Sequence, residues 1–231
     1  EGMGWGKEID EFDLVIRINR GSTMINKQSS KDIGERSSIL YHHLLEDPPG
    51  TNGSKFGFIC PDEWLSAGIK NVIGLPKSDM SGVAYDNTLS ELVNIDSVNR
   101  LSKKIPVSIV DYKFYNSISS AAMCKPNTGI AALFHAISLG PKKIKIFGYS
   151  FLLDGWFTDY HDGMIELPGE DRTMKEIENA SFNSPRHIQE NQWRLCKKLL
   201  SIDNVEFDPV LEKILRMDEF SKDMFSKIVV K

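Results

Sequence analysis

The chain has 231 residues, of which 41% are hydrophobic and 26% charged, with a formal net charge of -4. This composition suffices for one sizeable core, and the mildly acidic balance gives no indication of nucleic-acid binding. The apolar runs fall far short of the roughly 20 residues that span a bilayer. Cys60, Cys124 and Cys196 are far apart and form no CxxC pair. We therefore expect buried, reduced thiols in a cytoplasmic protein.

The first half of the chain alternates short β-rich runs with polar segments. Residues 13–19 predict a central strand, with Arg17 and Asn19 at its carboxyl end, where open parallel sheets bind ligands. The alternative to a ligand-binding role is that Arg17 is a strand-end arginine paired with a carboxylate of the protein. Residues 21–36 are interpreted as a polar loop. Further strands are predicted at 37–43, 56–60, 71–75 and 106–111, and a helix at 90–103.

The turn formed by residues 126–129 leads directly into a predicted helix that stops at Gly140. Asn127 or Thr128 can cap that helix, and Gly129 lets a ligand approach the backbone. The free N–H groups and the positive dipole end of a helix N-terminus suit an anion such as a phosphate. An apolar strand follows at 144–147. This order predicts a nucleotide or sugar-phosphate site in an α/β protein.

The last third of the chain begins with an irregular, lid-like segment at about 154–184, which carries Tyr160 and His161. A helix is predicted from Ser184, as N-cap, to residue 201, followed by an edge strand at 205–207 and a helical segment at about 209–231. Strands alternating with helices predict an α/β fold. We expect a Rossmann-like, doubly wound, mostly parallel sheet with helices on both faces, in a single domain over residues 1–231.

Two histidines are candidates for chemistry. His187 falls in the first turn of the predicted helix, where the positive dipole end favours the neutral imidazole that a general base needs. The alternative is a surface histidine. His161 can donate to an anion, and its alternative is a loop histidine without a role. Neither the histidines nor the acidic residues have the spacing of a metal site, so we expect no metal.

Four segments, in order, resemble the sialyl motifs of the sialyltransferases, glycosyltransferase family 29. Residues 9–19 match the I-D-x-x-D-x-V-x-R-x-N core of the large motif, and residues 32–38 resemble its downstream end. Residues 126–148 resemble the small motif, a P-[ST]-[ST]-G turn followed by a helix and a strand that ends in glycine. His161 falls at the histidine of the third motif, and His187 at that of the very small motif.

The resemblance implies a sialyltransferase variant of the GT-A fold. It implies an inverting, metal-independent and cofactor-free transfer of a sugar acid, most often sialic acid. The donor would be a CMP-activated sugar, and the acceptor a hydroxyl of a glycan or glycolipid. By position, His187 would be the general base, and His161 would stabilise the departing phosphate. The implied donor-binding residues are Arg17, Asn19, Asn127, Thr128, Gly129 and Tyr160.

The chain departs from the family pattern at several positions. Gln192 stands at the glutamate position of the very small motif, and Asn127 replaces a serine or threonine. Gly140 stands where vertebrate members have a cysteine, which fits a bacterial or viral type of enzyme. The family's first strand would precede Glu1.

Alternative functions stay open. One is a CMP-Kdo-dependent transferase of the same fold, because both donors present CMP, a carboxylate and a ketosidic bond. Another is a catalytically silent nucleotide- or glycan-binding module. A Rossmann-like enzyme of other chemistry lacks support, since no G-x-G-x-x-G follows a strand. Peripheral association with a membrane is also left open.

Overall fold

A computed structural model describes residues 2–22, 24–25, 29–44, 59–76, 95–153 and 182–229. The chain divides into two compact units, of which the first contains Glu1–Tyr115 and Phe157–Asp171, and the second contains Asn116–Trp156 and Arg172–Lys231. The single-domain organisation over residues 1–231 stays a prediction. Most of the lid-like segment, residues 154–181, lies outside the described residues.

The first unit contains a parallel sheet with helices between its strands. In chain order its elements are α1 (Gly6–Asp10), β1 (Ile16–Ile18), a 3-10 helix (Asn19–Ser22), α2 (Ser30–Ile33), β2 (Ile39–His42), α3 (Pro61–Ser66), β3 (Asn71–Gly74), α4 (Ile95–Ser102) and β4 (Val107–Ile109). The strands lie in the order β1-β2-β3-β4, and every neighbouring pair is parallel. The prediction of an α/β protein with a mostly parallel sheet is therefore confirmed.

The core of this unit lies against the central strands, because β2 and β3 carry the most buried apolar runs. Leu40 pairs in register with Arg17 on one side and Val72 on the other, and both leucine and valine are fully buried. Burying such side chains contributes about 1.5–3 kcal/mol each. The buried cluster consists of Leu40, Leu44, Trp64, Ile69, Val72, Leu101 and Ile105.

The loop predicted at 21–36 is wrong in part, because a 3-10 helix and α2 occupy much of the described chain there. The Asp10 carboxylate fixes the end of this segment by accepting the N–H groups of Glu35 at 2.8 Å and Arg36 at 2.9 Å. A side chain at Gly6 would collide with the backbone of α2, so this glycine lets α1 pack closely against α2.

Of the strand predicted at 56–60, residues 56–58 lie outside the described residues, and residues 59–60 are not in a strand. The helix α3, which the sequence analysis missed, begins directly afterwards with Pro61 at its first position. Proline is favoured there, since its fixed φ suits a helix and the N–H it lacks would have no partner within the helix.

The second unit contains a short parallel pair of strands among helices. Its elements are the end of α5 (Tyr112–Ala122), α6 (Thr128–Ser138), β5 (Ile144–Ile146), α7 (Gln189–Lys197), a 3-10 helix (Lys198–Ser201), β6 (Val205–Phe207), α8 (Pro209–Leu215) and α9 (Lys222–Val229). β5 and β6 pair in parallel. The predicted helix after Asn127 and the strands at 144–147 and 205–207 are confirmed, and α8 and α9 lie in the predicted C-terminal helical segment.

Asp208 joins the end of β5 to the start of α8. Its Oδ1 accepts the N–H groups of Val210 at 2.8 Å and Leu211 at 2.9 Å, and its Oδ2 accepts that of Gly148 at 2.8 Å. The side chain is 1% exposed, so these bonds replace the water it has lost. Asp208 thus caps a helix and holds the loop that follows a strand.

The predicted helix start at Ser184 is wrong. α7 begins at Gln189, with Ile188 as its N-cap. Ser184 closes a short turn instead, because its Oγ accepts the N–H groups of Arg186 and His187, each at 3.4 Å. His187 therefore precedes the helix and is not in its first turn.

Within the described ranges, no helix has the length and apolar character needed to cross a membrane.

Candidate functional site

Asn127 lies at the N-terminus of α6, and its side chain leaves the first N–H groups of the helix unbonded. Asn127 occupies the N-cap position, but its side chain makes no capping hydrogen bond. Its Nδ2 instead donates to Gln189 Oε1 at 3.2 Å and to Tyr149 Oη at 3.3 Å. Asn127 therefore takes the predicted N-cap position, but the prediction that its side chain caps the helix is wrong. Because the first N–H groups of a helix have no acceptor within it, those of Thr128 and Gly129 are suited to an external anion.

Two buried glutamines of α7 hold this turn in place. Gln192, which is 0% exposed, accepts the N–H of Asn127 at 2.7 Å and donates to the carbonyl of Ile188 at 3.5 Å. Gln189, which is 3% exposed, also donates to the carbonyl of His187 at 3.0 Å. Gln192 thus positions the turn at Asn127. In the sequence Gln192 is only a departure from the motif pattern, from which this contact could not be predicted.

Gly129 packs against the aromatic ring of Tyr149, which leaves no room for a side chain at this position. A Cβ at this position would lie 2.8 Å from Tyr149 Cε2. The sequence predicts that Gly129 lets a ligand approach the backbone. On the side where a Cβ would lie, Tyr149 makes this close approach instead. Burial raises the pKa of Tyr149, so its hydroxyl stays protonated. Sequence reasoning missed Tyr149, although it directly follows the predicted strand and its terminal Gly148.

His187 is held by the backbone of Lys125, which directly precedes this turn. Its Nδ1 lies 2.9 Å from the carbonyl oxygen of Lys125, and the N–H of Lys125 donates to the carbonyl of Arg186 at 3.0 Å. Because a carbonyl can only accept, Nδ1 carries the proton in the neutral ring. The basic nitrogen is then Nε2, as a proton acceptor requires.

The pKa of His187 is lowered, and the main cause is burial. The positive charges of Lys125 and Arg186 lower it further, whereas the hydrogen bond to the Lys125 carbonyl acts in the opposite direction. The neutral imidazole is thus favoured at neutral pH, as expected. The predicted cause is wrong, however, because His187 precedes α7 and burial takes the place of the helix dipole.

β1 is the end strand of the described sheet and Arg17 is its middle residue, so the predicted place of Arg17 at the carboxyl end of a central strand is wrong. Arg17 binds the backbone of its own unit. Its Nη2 donates to the carbonyls of Ile33 at 2.6 Å and Arg36 at 2.7 Å, and its Nε donates to that of Arg36 at 3.2 Å. Burial lowers its pKa from the ordinary value for arginine. These bonds give Arg17 a structural role in the first unit. Its contact with the sugar donor stays a prediction.

Asn19 begins the 3-10 helix that follows β1, with a left-handed φ of 49°. Its Oδ1 is buried and has no hydrogen-bond partner among the residues that the structure describes. A buried oxygen left unpaired costs about 1–3 kcal/mol, so this atom is suited to accept a hydrogen bond from a ligand. The combination of strain and an unpaired acceptor agrees with the predicted binding role, which stays a prediction.

The structure brings part of the predicted site together. Asn127, Thr128, Gly129 and His187 belong to the second unit, where His187 Nδ1 is bonded to the carbonyl of Lys125, two residues before Asn127. Arg17 and Asn19 belong to the first unit, and Tyr160 and His161 lie outside the described residues. Among the residues that are described, no group of three or more His, Cys, Asp or Glu could hold a metal ion.

Comparisons of the chain with protein-family models, curated proteins and solved structures return no match. The class that the structure defines is an α/β protein with a parallel sheet. Any finer assignment rests on the motifs and on the geometry of this site.

Proposed function

We propose that this protein is an inverting, metal-independent glycosyltransferase that moves a sugar acid from a CMP-sugar donor to a hydroxyl of a glycan acceptor. Sialic acid is the default donor sugar. One observation carries the proposal: His187, whose basic nitrogen is Nε2, is bonded to the backbone of Lys125, directly before the turn that opens α6, and the N-cap side chain of α6 makes no capping hydrogen bond. The four motif resemblances support it, because two of them contribute these groups.

The helix N-terminus suits the donor because a CMP-sugar acid presents a phosphate and a carboxylate. The first N–H groups of α6 and its positive dipole end favour either anion. Gln192 and Gln189 contact the turn as neutral amides, so they add no negative charge against such a ligand. By the resemblance, Thr128 and Gly129 hold this part of the donor.

His187 suits the proton transfer. In the proposed step, its Nε2 takes the proton of the acceptor hydroxyl while the hydroxyl oxygen attacks the anomeric carbon. The bond between that carbon and the phosphate oxygen breaks, and CMP leaves with the electron pair. Attack on the face opposite the leaving group inverts the configuration. A positioned base of this kind contributes about 10²–10⁴-fold to the rate.

We further propose a Rossmann-like, doubly wound sheet with helices on both faces, the sialyltransferase variant of the GT-A fold. Its support is the parallel pairing in both units together with the helices between consecutive strands. The four strands of the first unit follow chain order, so the reversal that defines a doubly wound sheet does not fall among them. An experimental structure with bound CMP tests the proposal, and an antiparallel core sheet would contradict it.

A donor screen tests the function. We expect CMP and CMP-sialic acid to raise the melting temperature, since a ligand that binds the native state stabilises it. UDP and GDP should not. Stabilisation by UDP or GDP but not by CMP would contradict the proposal. A stronger response to CMP-Kdo than to CMP-sialic acid would favour the Kdo-transferase alternative.

His187→Ala tests the chemistry. We expect release of CMP from the donor to fall by about 10²–10⁴-fold while the CMP-induced thermal shift remains. The matched control is His135→Ala, which removes another partly buried histidine whose pKa burial lowers. Wild-type protein that binds CMP but neither releases it from CMP-sialic acid nor transfers sugar would be a silent binding module.

A further inference from the structure

The N-cap residue of α6 has the backbone of a capping residue without its side-chain bond. Asn127 has φ -61° and ψ 154°, the extended geometry typical of an N-cap. From this geometry an asparagine Oδ1 ordinarily accepts the N–H of the second or third helical residue, here Gly129 or Ile130. Asn127 makes no such bond. Other contacts of its side chain therefore outweigh the cap.

Those contacts are two hydrogen bonds from Nδ2 of Asn127. One goes to Gln189 Oε1 at 3.2 Å, and the other goes to Tyr149 Oη at 3.3 Å. An amide nitrogen carries two hydrogens, so the two acceptors use both of them. The backbone N–H of Asn127 donates to Gln192 Oε1 at 2.7 Å. Every N–H group of Asn127 is thus bonded within the protein.

The carbonyl of His187 determines the orientation of both amides. Gln189 Nε2 donates to that carbonyl at 3.0 Å, and a carbonyl oxygen can only accept. The Oε1 of Gln189 therefore faces Asn127 and requires a donor there. With the Asn127 amide reversed, two oxygens would face each other. The main chain of the histidine segment thus determines that Nδ2, and not Oδ1, points away from α6.

The two acceptors hold Asn127 without opposing an anion at the helix N-terminus. Gln189 is a neutral amide that is 3% exposed, so little water competes for its bonds. Burial raises the pKa of Tyr149, and its hydroxyl stays uncharged. Neither residue places a negative charge beside the turn.

We propose that Gln189 and Tyr149 are positioning residues that keep the side chain of Asn127 away from the first N–H groups of α6. A side-chain cap and a bound anion would use the same N–H groups, so the cap would compete with the ligand. Asn127 itself then contributes no hydrogen bond to the anion. The inference rests on the proposed function, because it concerns the turn assigned there to the CMP-sugar.

Removal of both acceptors tests the proposal without a ligand. In a Tyr149→Phe, Gln189→Met variant, Asn127 loses both partners of Nδ2. The phenyl ring keeps the packing against Gly129. We expect Asn127 to cap α6, and amide hydrogen exchange at Gly129 or Ile130 to slow by about fivefold or more. Tyr149→Phe alone is the milder variant should the double variant not fold, and it should slow the same exchange less.

The affinity for CMP tests the competition. The double variant should bind CMP about fivefold more weakly than wild type, since the ligand has to displace the cap. Adding Asn127→Ala removes the competing side chain and should restore the wild-type affinity. Asn127→Ala in the wild-type background is the matched control, and it should bind CMP within about twofold of wild type. Isothermal titration calorimetry measures these dissociation constants.

The two measurements separate this proposal from the proposed function. Slower exchange in the double variant, with weaker CMP binding that Asn127→Ala restores, supports both. Unchanged exchange, unchanged affinity for CMP, or a loss of affinity that persists after Asn127→Ala overturns the positioning role and leaves the transferase proposal standing where wild type binds CMP. Slower exchange in a protein whose wild type does not bind CMP supports the positioning of Asn127 and contradicts the transferase proposal.

Discussion

One hydrogen bond to a backbone carbonyl determines which ring nitrogen of neutral His187 carries the hydrogen. We expect the tautomer with hydrogen on Nδ1 at neutral pH and a pKa below the ordinary histidine value of about 6.5. Nitrogen-15 NMR of the imidazole measures both quantities, with assignment by His187→Gln. A proton on Nε2, or a pKa above the ordinary value, would contradict this account of the site.

The pH dependence of the transfer rate should reflect the same lowered pKa of His187. Because the base acts as neutral imidazole, kcat/KM should fall only as pH falls through the lowered pKa of His187, below the ordinary value. The acidic limb of the pH–rate profile measures this pKa in the free enzyme. An acidic limb well above pH 6.5 would show that another group controls the step.

Gln192 links two segments through a fully buried amide. Gln192→Leu removes the acceptor of the Asn127 N–H, so we expect a loss of about 1–3 kcal/mol in the free energy of unfolding. Urea denaturation measures the loss. The control, Glu190→Gln, changes a surface ion pair with Arg194 and should cost no more than about 1 kcal/mol. Equal effects would show that Gln192 has no special role.

At the scale of elements, the sequence pattern predicts those strands and helices whose formation depends on neighbouring residues in the chain. The strands at 71–75, 106–111 and 144–147 were recognised because each is an apolar run bounded by polar or turn residues, and α6 because a proline–asparagine turn precedes its apolar face. α5 was missed, since its sequence is rich in serine and aromatic residues that do not favour helix strongly.

The start of α7 was misplaced for a related reason. Ser184 and Pro185 have the sequence signature of a helix N-terminus, but the serine closes a local turn, and the chain reaches helical geometry only at Gln189. Contacts between distant segments, such as Gln192 with Asn127 or Tyr149 against Gly129, leave no local pattern. The sequence could therefore indicate the site residues of the turn but not the side chains that support them.

The contact between the first turn of α6 and Tyr149 predicts the effect of Gly129→Ala. Alanine favours helix by about 1 kcal/mol, but its Cβ would lie 2.8 Å from the buried ring. We expect the collision to dominate, with a net loss of about 1–3 kcal/mol in thermal or urea unfolding. In a Tyr149→Leu background the same change should cost less, which a double-mutant cycle measures. Stabilisation by Gly129→Ala alone would refute the close contact.

The junction between β5 and α8 depends on Asp208. Asp208→Ala leaves three backbone N–H groups without their acceptor, so we expect a loss of about 2–4 kcal/mol in the free energy of unfolding. Asp218→Ala, at an exposed position, is the control and should stay within about 0.5 kcal/mol of wild type. A small effect at Asp208 would mean that water replaces the carboxylate at low cost.

At the scale of the whole molecule, two histidines of the described residues have a lowered pKa and make folding sensitive to mild acid. Burial depresses the pKa of both His135 and His187 in the folded state, so the unfolded chain binds more protons below about pH 6.5. Their stabilising contribution is therefore complete above that pH and is lost as pH falls through the folded-state values. Urea titrations from pH 7 to about 5 should show this decline, and it should flatten in a His135→Gln, His187→Gln double variant.

The hydrogen bonds of Lys125 have a consequence for sequence drift. Both the bond to His187 and the bond to Arg186 use main-chain atoms of Lys125. A change of side chain at position 125 leaves the acceptor of the imidazole proton in place, and only proline would remove the N–H donor. The path of the backbone thus determines the tautomer of His187. Variation at position 125 can alter the local charge, and with it the pKa of the base, without altering which nitrogen is basic.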